Sequence, residues 1–267
     1  MKSLPAILLS LLAILATALT LQGITVNYNF DGDFNSNFSE IGDGDGTWAQ
    51  VGGVAEFTTT SDSLSDKVIV WQTYRAPYTS DWTLSLDITI PSFYDTSLTD
   101  TDMGDEYLDV VLAVQHETMT DEYIATSGLT VSTSDSITVN RLAFGEFVFN
   151  DSVQFTQAAA TASTTLDVML SYNASLEQIT ASYGGGNVLY TLSVGSAGDP
   201  DWGMSSTDFF NIGVSATNSL EQVLAANPVS VDNLAAVGVT AIPEPGTVGL
   251  GLGLLALGVI GYRRKMA

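Results

Sequence analysis

The stretch Thr83-Leu84-Ser85-Leu86-Asp87-Ile88-Thr89-Ile90 alternates without a break. Leu84, Leu86, Ile88 and Ile90 fall on one side of an extended chain, and Thr83, Ser85, Asp87 and Thr89 on the other. Successive side chains of a strand point to opposite faces, so this period of two predicts a half-buried β-strand with a polar outer face. The same alternation returns in Leu166, Val168, Leu170 and Tyr172, in Ile212, Val214 and Ala216, and in Val229 and Val231. Leu108–Val114 is apolar on both faces and reads as a central strand. Turn residues cluster between these runs, at Gly42–Gly46, Asp62–Asp66, Asp100–Asp105, Gly184–Asn187 and Gly195–Pro200. The spacing predicts roughly thirteen short strands. Apart from Ser219–Ala226, no segment of the body carries a helical period, and Thr156–Thr165 reads as a loop within one domain. The fold class expected is all-β, a sandwich and not a parallel α/β sheet.

Of the 267 residues, 45% are hydrophobic, enough to fill a core. Seven Lys and Arg stand against 30 Asp and Glu, a formal charge of −23. Between residues 24 and 241 only Lys67, Arg75 and Arg141 face 29 acids, a balance of −26. A polyanion without a basic patch has no means of releasing counterions from a nucleic acid backbone, so that class of partner is excluded. Cysteine is absent, which removes disulfides, thiolate metal sites and thiol nucleophiles.

The ends differ from the body. Residues 4–21 are almost wholly apolar, follow Lys2, and contain Ala16-Thr17-Ala18, a small-x-small pattern of the signal-peptidase kind. Residues 1–23 are therefore expected to be an export signal; an uncut N-terminal anchor is the alternative. At the other end Pro243-Glu244-Pro245 precedes an apolar run from Thr247 to Tyr262 holding five glycines, and Arg263-Arg264-Lys265 follows. As a hydrophobic helix this run would span about 24 Å, a little short of a bilayer core. The basic triplet would stay on the cytoplasmic side and leave the acidic body outside.

That ordered triple closely resembles the PEP-CTERM sorting signal. The resemblance spans residues 242–267 and rests on Pro243, Glu244, Pro245, the Gly/Leu-rich segment, and Arg263, Arg264 and Lys265. It implies a Gram-negative bacterium that makes exopolysaccharide. It also implies an exosortase, a membrane-embedded enzyme that takes the precursor from the inner membrane, removes its tail and delivers the body to the cell surface or matrix.

The body, residues 24–241, is similar to concanavalin A-like lectin/glucanase jelly rolls. The likeness rests on Asn29-Phe30-Asp31 with Phe34, on Trp48 and Gly53-Val54-Ala55, and on Asp81-Trp82 leading into Thr83–Asp87. The hairpin Leu166–Tyr172 and Leu176–Ala181, the run Ile212-Gly213-Val214-Ser215-Ala216, and Val231-Asp232-Asn233-Leu234 extend it. It implies a single jelly-roll β-sandwich. The glucanase branch of that superfamily uses Glu-x-Asp-x-Glu, and no such triplet occurs here. Glu106 and Asp109 stand on opposite faces of a strand. His116-Glu117 begins like a zincin motif, but position 120 is Thr. No catalytic residues are expected, and the protein is read as a non-enzyme.

Two binding sites are expected instead. Asp31-x-Asp33-x-Asn35 spaces oxygen ligands at every second residue, as the first half of a calcium loop does, and Ca2+ is the ion it would take. Ordinary solvated turns account for the same residues equally well. Trp202, flanked by Asp199 and Asp201 in a loop without apolar periodicity, is the candidate aromatic for a glycan, while Trp82 is in phase with the core. A loop Trp that caps the end of the sandwich is the competing reading. The function expected is an exported surface or matrix protein associated with exopolysaccharide. A carbohydrate-active hydrolase or lyase, or a purely structural matrix protein, is the alternative.

Processing at both ends is testable by intact mass. The surface-released form is expected to begin between Leu19 and Ile24 and to end close to Pro243. A mass that still includes residues 247–267 rejects the C-terminal half of this expectation.

Overall fold

In the computed structural model, Thr83–Ile90 lies within a strand that runs Trp82–Ile90. The described residues are 23–31, 34–60, 65–90, 107–117, 123–132, 137–140, 143–144, 164–196, 202–218 and 228–242. They form β1 (Ile24–Tyr28), the helical turn α1 (Phe34–Asn37), β2 (Phe38–Asp43), β3 (Thr47–Val51), β4 (Val54–Thr58), β5 (Ser65–Pro77) and β6 (Trp82–Ile90). There follow β7 (Tyr107–His116), β8 (Tyr123–Ser132), β9 (Ile137–Asn140), β10 (Ala143–Phe144), β11 (Thr164–Asn173) and β12 (Gln178–Tyr183). The last three are β13 (Asn187–Ser193), β14 (Phe209–Asn218) and β15 (Val229–Ala241). Residues 1–22 of the expected export signal and the tail beyond Ile242 lie outside the described residues, as does the whole of Ser219–Ala226.

Every strand pairing among the described residues is antiparallel. One sheet runs β13-β12-β11-β6-β15, with β4 and β1 following one another along the far edge of β15 and β3 beyond β4. The second runs β10-β8-β7-β14-β5, with β2 beyond β5 and β9 beside β8. β7, the run apolar on both faces, is central, between β8 and β14. β15 belongs to both sheets: Ser230–Val237 pairs with β6, and Thr240 and Ala241 pair with β5. The switch takes place at Gly238, whose φ is 81°. A side chain there would strike the Asp81 carbonyl and come within 3.0 Å of Trp82 Cα.

The core lies between the sheets. Leu84, Leu86 and Ile88 of β6, Val168 and Leu170 of β11 and Val231 and Ala236 of β15 are wholly buried. They face Leu108, Val110, Leu112 and Val114 of β7 and Ile212, Val214 and Ala216 of β14. Each large aliphatic side chain buried in this way contributes about 1.5–3 kcal/mol relative to its exposed state. Polar groups also cross the gap. The Tyr190 hydroxyl donates to the Thr126 carbonyl at 2.8 Å and accepts from the Thr126 N–H at 3.0 Å. Ser127 Oγ donates to the Ser182 carbonyl at 3.0 Å.

Two aromatic clusters extend the core. Phe30, Phe34, Phe38 and Trp71 stack at centroid distances of 5.2–6.3 Å, and Tyr28 meets Phe30 and Phe38 edge-on. In the second, Tyr78, Trp82 and Tyr172 stack around Phe210. Trp202 joins this second cluster edge-on to Phe210 at 6.0 Å and is 0% exposed. The expectation that Trp202 offers an open stacking face for a glycan is therefore corrected. A loop carries no periodic pattern, so its register with the core was not legible. The tryptophan seals the sandwich end because its large apolar ring gains more from burial there than from solvent.

Trp202→Ala is accordingly expected to cost about 3–5 kcal/mol and to lower the melting temperature sharply in thermal unfolding. An unchanged melting curve would return Trp202 to the surface.

Candidate functional site

The outer face of the first sheet can be read row by row from its register. Thr83 stands opposite Ser171 on one side and Val237 on the other. Ser171 stands opposite Thr180, and Thr180 opposite Thr191. The polar half of TLSLDITI thus continues across four neighbouring strands as a row of hydroxyls. Thr180 and Thr191 are 3.2 Å apart through their Oγ1 atoms, and Thr89 and Thr165 are 2.7 Å apart one end of the face away.

Where this row meets the end of the sandwich, a cleft of about 440 Å3 opens. Thr83, Ser171 and Thr180 line it together with Asp81, Asn173, Gln178, Leu176 and Val237. Its rim is the β11–β12 turn, which three polar groups fix in place. Asn173 Oδ1 accepts from the Ser175 N–H at 3.0 Å, the Ser175 hydroxyl at 2.7 Å and the Leu176 N–H at 3.1 Å. Asp81 Oδ1 accepts from the Ala174 N–H at 2.8 Å. The Tyr78 hydroxyl donates to Glu177 Oε1 at 2.8 Å, and Glu177 itself has a left-handed φ of 52°. This turn lifts Leu176 into solvent, 59% exposed, across from Val237 at 50%. Below the cleft Tyr172 is 3% exposed, and burial, with Tyr78 and Glu177 nearby, raises its pKa so that the phenol stays neutral.

Such a cleft offers hydroxyls, two amides and one carboxylate between two apolar side chains. Asp81 is the single carboxylate among its lining residues. Hydrolysis of a glycosidic bond takes two, set on either side of the bond. The arrangement is suited to holding a polyhydroxylated ligand by hydrogen bonds and apolar contact.

A second row on the same face is acidic. Asp87 stands opposite Asp167 on one side and Asp232 on the other. Like charges directly across a ladder are destabilising. Partial burial and the charge of Asp87 raise the pKa of Asp167, against a lowering hydrogen bond from the Gly185 backbone. Asn233 relieves the rest. Its backbone is left-handed, with φ 53°, at a bulge in β15. From there Nδ2 donates to Asp87 Oδ2 at 2.8 Å and its N–H to Asp232 Oδ1 at 2.7 Å.

The other expected sites fare differently. Asp31 is exposed, accepts from the Asn29 side-chain amide, and lies against Gly53. Asn35 projects from α1 into solvent, and Asp33 lies outside the described residues, as do Asp199 and Asp201. Among the described residues no three Asp, Glu, His or Cys side chains come together as a metal group. His116 ends β7 opposite Phe210, 3% exposed and facing the core, with Nε2 3.7 Å from Asp208 Oδ2. Next to it Arg75 pairs with Glu117 at 2.8 Å.

Residues 241–265 match the PEP-CTERM protein-sorting motif. The motif marks an exported chain that an exosortase processes at the membrane. Of its span, Ala241 and Ile242 fall among the described residues, and no helix among those residues is long and apolar enough to cross a membrane. The fold is similar to that of the basic winged bean lectin with Tn-antigen, with a TM-score of 0.51 at 11% identity over 83% of this chain and 100% of that one. It is similar too to the lectin from Bauhinia forficata in complex with GalNAc, with a TM-score of 0.52 at 11% identity over 82% of this chain and 99% of that one. At such identity the likeness carries the fold alone, and that fold is a concanavalin A-like jelly-roll sandwich. No curated protein matches the chain in sequence.

The acidic row has a measurable consequence. A carboxylic acid whose folded-state pKa is raised favours the fold while protonated, and that contribution is lost as pH rises from the unfolded value through the folded one. Asp167→Asn should therefore raise the melting temperature at pH 7 by about 1–4 °C and leave it nearly unchanged at low pH, where Asp167 is already protonated. A stabilisation equal at both pH values would mean that charge is not the cause.

Proposed function

We propose that this chain is a non-catalytic, glycan-associated module of the surface or extracellular matrix of a Gram-negative bacterium. Residues 1–23 act as its leader, 24–241 as the binding domain and 242–267 as the sorting signal. The precursor is held in the inner membrane through residues 247–262 until the exosortase removes the tail. The ligand is exopolysaccharide of the producing cell.

One observation carries the binding half of this reading. The cleft at the end of the hydroxyl row joins Thr83, Ser171 and Thr180 to Leu176 and Val237 and has one carboxylate, on a sandwich of lectin type. Sugars present hydroxyls around an apolar ring face, and this lining matches both. Hydrogen bonds to hydroxyls replace bonds to water at small net gain, so the contact with Leu176 and Val237 carries much of the affinity. The balance of −26 across the body repels an acidic polymer and favours a neutral glycan. The Tn-antigen and GalNAc named with the two lectins make GalNAc-containing glycans the first probes.

A glycan array followed by calorimetry tests the proposal. The wild-type protein is expected to bind neutral glycans, and the double variant Leu176→Ala, Gln178→Ala to bind about tenfold or more weakly, a loss of about 1.4 kcal/mol. Its melting temperature should barely move, because surface substitutions of this kind lie within about 0.5 kcal/mol. Binding unchanged in the double variant moves the site elsewhere on the sandwich. A wild-type protein that binds no glycan leaves the structural matrix reading.

A further inference from the structure

Both ends of the folded body leave from one pole. β1 runs antiparallel to β15, with Ile24 opposite Val239, so the chain enters where β15 ends. Gly23 lies so close to Gly238 that a Cβ on it would stand 2.6 Å from Gly238 Cα. The register places the start of β6, the β11–β12 turn and the start of β14 at this same pole. The cleft is there too: Val237, one of its walls, precedes Ile242 by five residues, about 17 Å of extended chain.

The body also runs directly into the sorting motif. The Ile242 N–H donates to the Thr73 carbonyl at 2.8 Å, which pins the residue just before Pro243 to β5. Only residues 243–246 separate that hydrogen bond from the apolar run that begins at Thr247. Four residues span at most about 14 Å. The far pole stands off by the length of β15, thirteen residues or about 40 Å.

The chemistry of the pole fits a lipid surface. Ile24, Leu176 and Val237 are exposed there, three of the six large apolar side chains exposed among the described residues. Of the acids beside them, Glu117 is paired with Arg75, while Asp81, Glu177 and Asp208 are turned into the fold by hydrogen bonds from the Ala174 N–H, the Tyr78 hydroxyl and the Ser205 N–H.

We infer that, while the tail is uncut, this pole is held against the bilayer and the cleft is covered, so that removal of the tail is what opens it to polysaccharide. This rests on the reading of residues 247–262 as a membrane anchor and adds an order of events to it. The tether is too short for the body to turn its other pole to the membrane. Binding would then begin only outside the cell envelope's inner face, after sorting, and the precursor would not capture polymer on its way through.

The absence of cysteine makes the test clean. Single variants Gln178→Cys, in the cleft, and Asn187→Cys, at the far pole, are expressed as full chains in a host without exosortase, and their membranes are treated with a PEG-conjugated maleimide. A parallel pair carries a Gly/Ser insert of about 20 residues after Gly246, with an average reach of about 25 Å. With the native tether the Gln178→Cys variant is expected to react an order of magnitude more slowly than it does with the insert. The Asn187→Cys variant should react equally in both. Equal labelling of the cleft with and without the insert, in protein recovered with the membranes, overturns the inference and leaves the anchor reading intact. Protein absent from the membranes overturns the anchor reading, and the inference with it.

Discussion

Hydrogen bonding of β15 to both sheets is the constraint from which the rest of the architecture follows. Along Ser230–Val237 it is bonded to β6, with β4 and β1 on its other side; past Gly238 it is bonded to β5 of the opposite sheet. A strand shared in this way fixes the two sheets to one another at one corner. It also places the cleft wall Val237, the bulge at Asn233 and the departing tail on a single element. The left-handed backbone at Asn233 and the bare Gly238 are what permit the strand to do both.

Much of this fold was legible from periodicity. The alternation of Thr83–Ile88, Leu166–Tyr172 and Ile212–Ala216 survives in β6, β11 and β14, with the apolar set inward in each. Burial on one face imposes a period of two, and that period is visible in one strand at a time. Register is not. Nothing within any single strand announces that Asp87, Asp167 and Asp232 will lie side by side, or that Thr83, Ser171 and Thr180 will share a cleft floor, because these neighbours are set by pairing between segments far apart in the chain. Trp202 shows the converse limit: a loop residue has no pattern to declare which way it points. The sorting motif was legible because its three parts are contiguous and need no folding to be recognised.

The charge distribution separates two roles that composition alone merges. The acids are spread over the surface, and many serve the turns that hold the sandwich together. Asp45 accepts from both the N–H and the hydroxyl of Thr60, and Asp208 accepts from the N–H of Ser205, which with the Ser205 side chain lowers its pKa. Others, as in the Asp87 row, sit in mutual repulsion that Asn233 only partly offsets. Surplus negative charge keeps copies of a protein apart and in solution.

The hydrogen bond from Ile242 to Thr73 carries a mechanical meaning. A pull on the tail is transmitted along the axis of β15, a strand flanked on both sides by bonded neighbours over most of its length. Load applied along such a strand acts on its hydrogen bonds in shear, many at once, instead of opening them one after another from an edge. The end through which the envelope machinery handles this protein is thus attached to the part of the sandwich best placed to bear tension without unravelling.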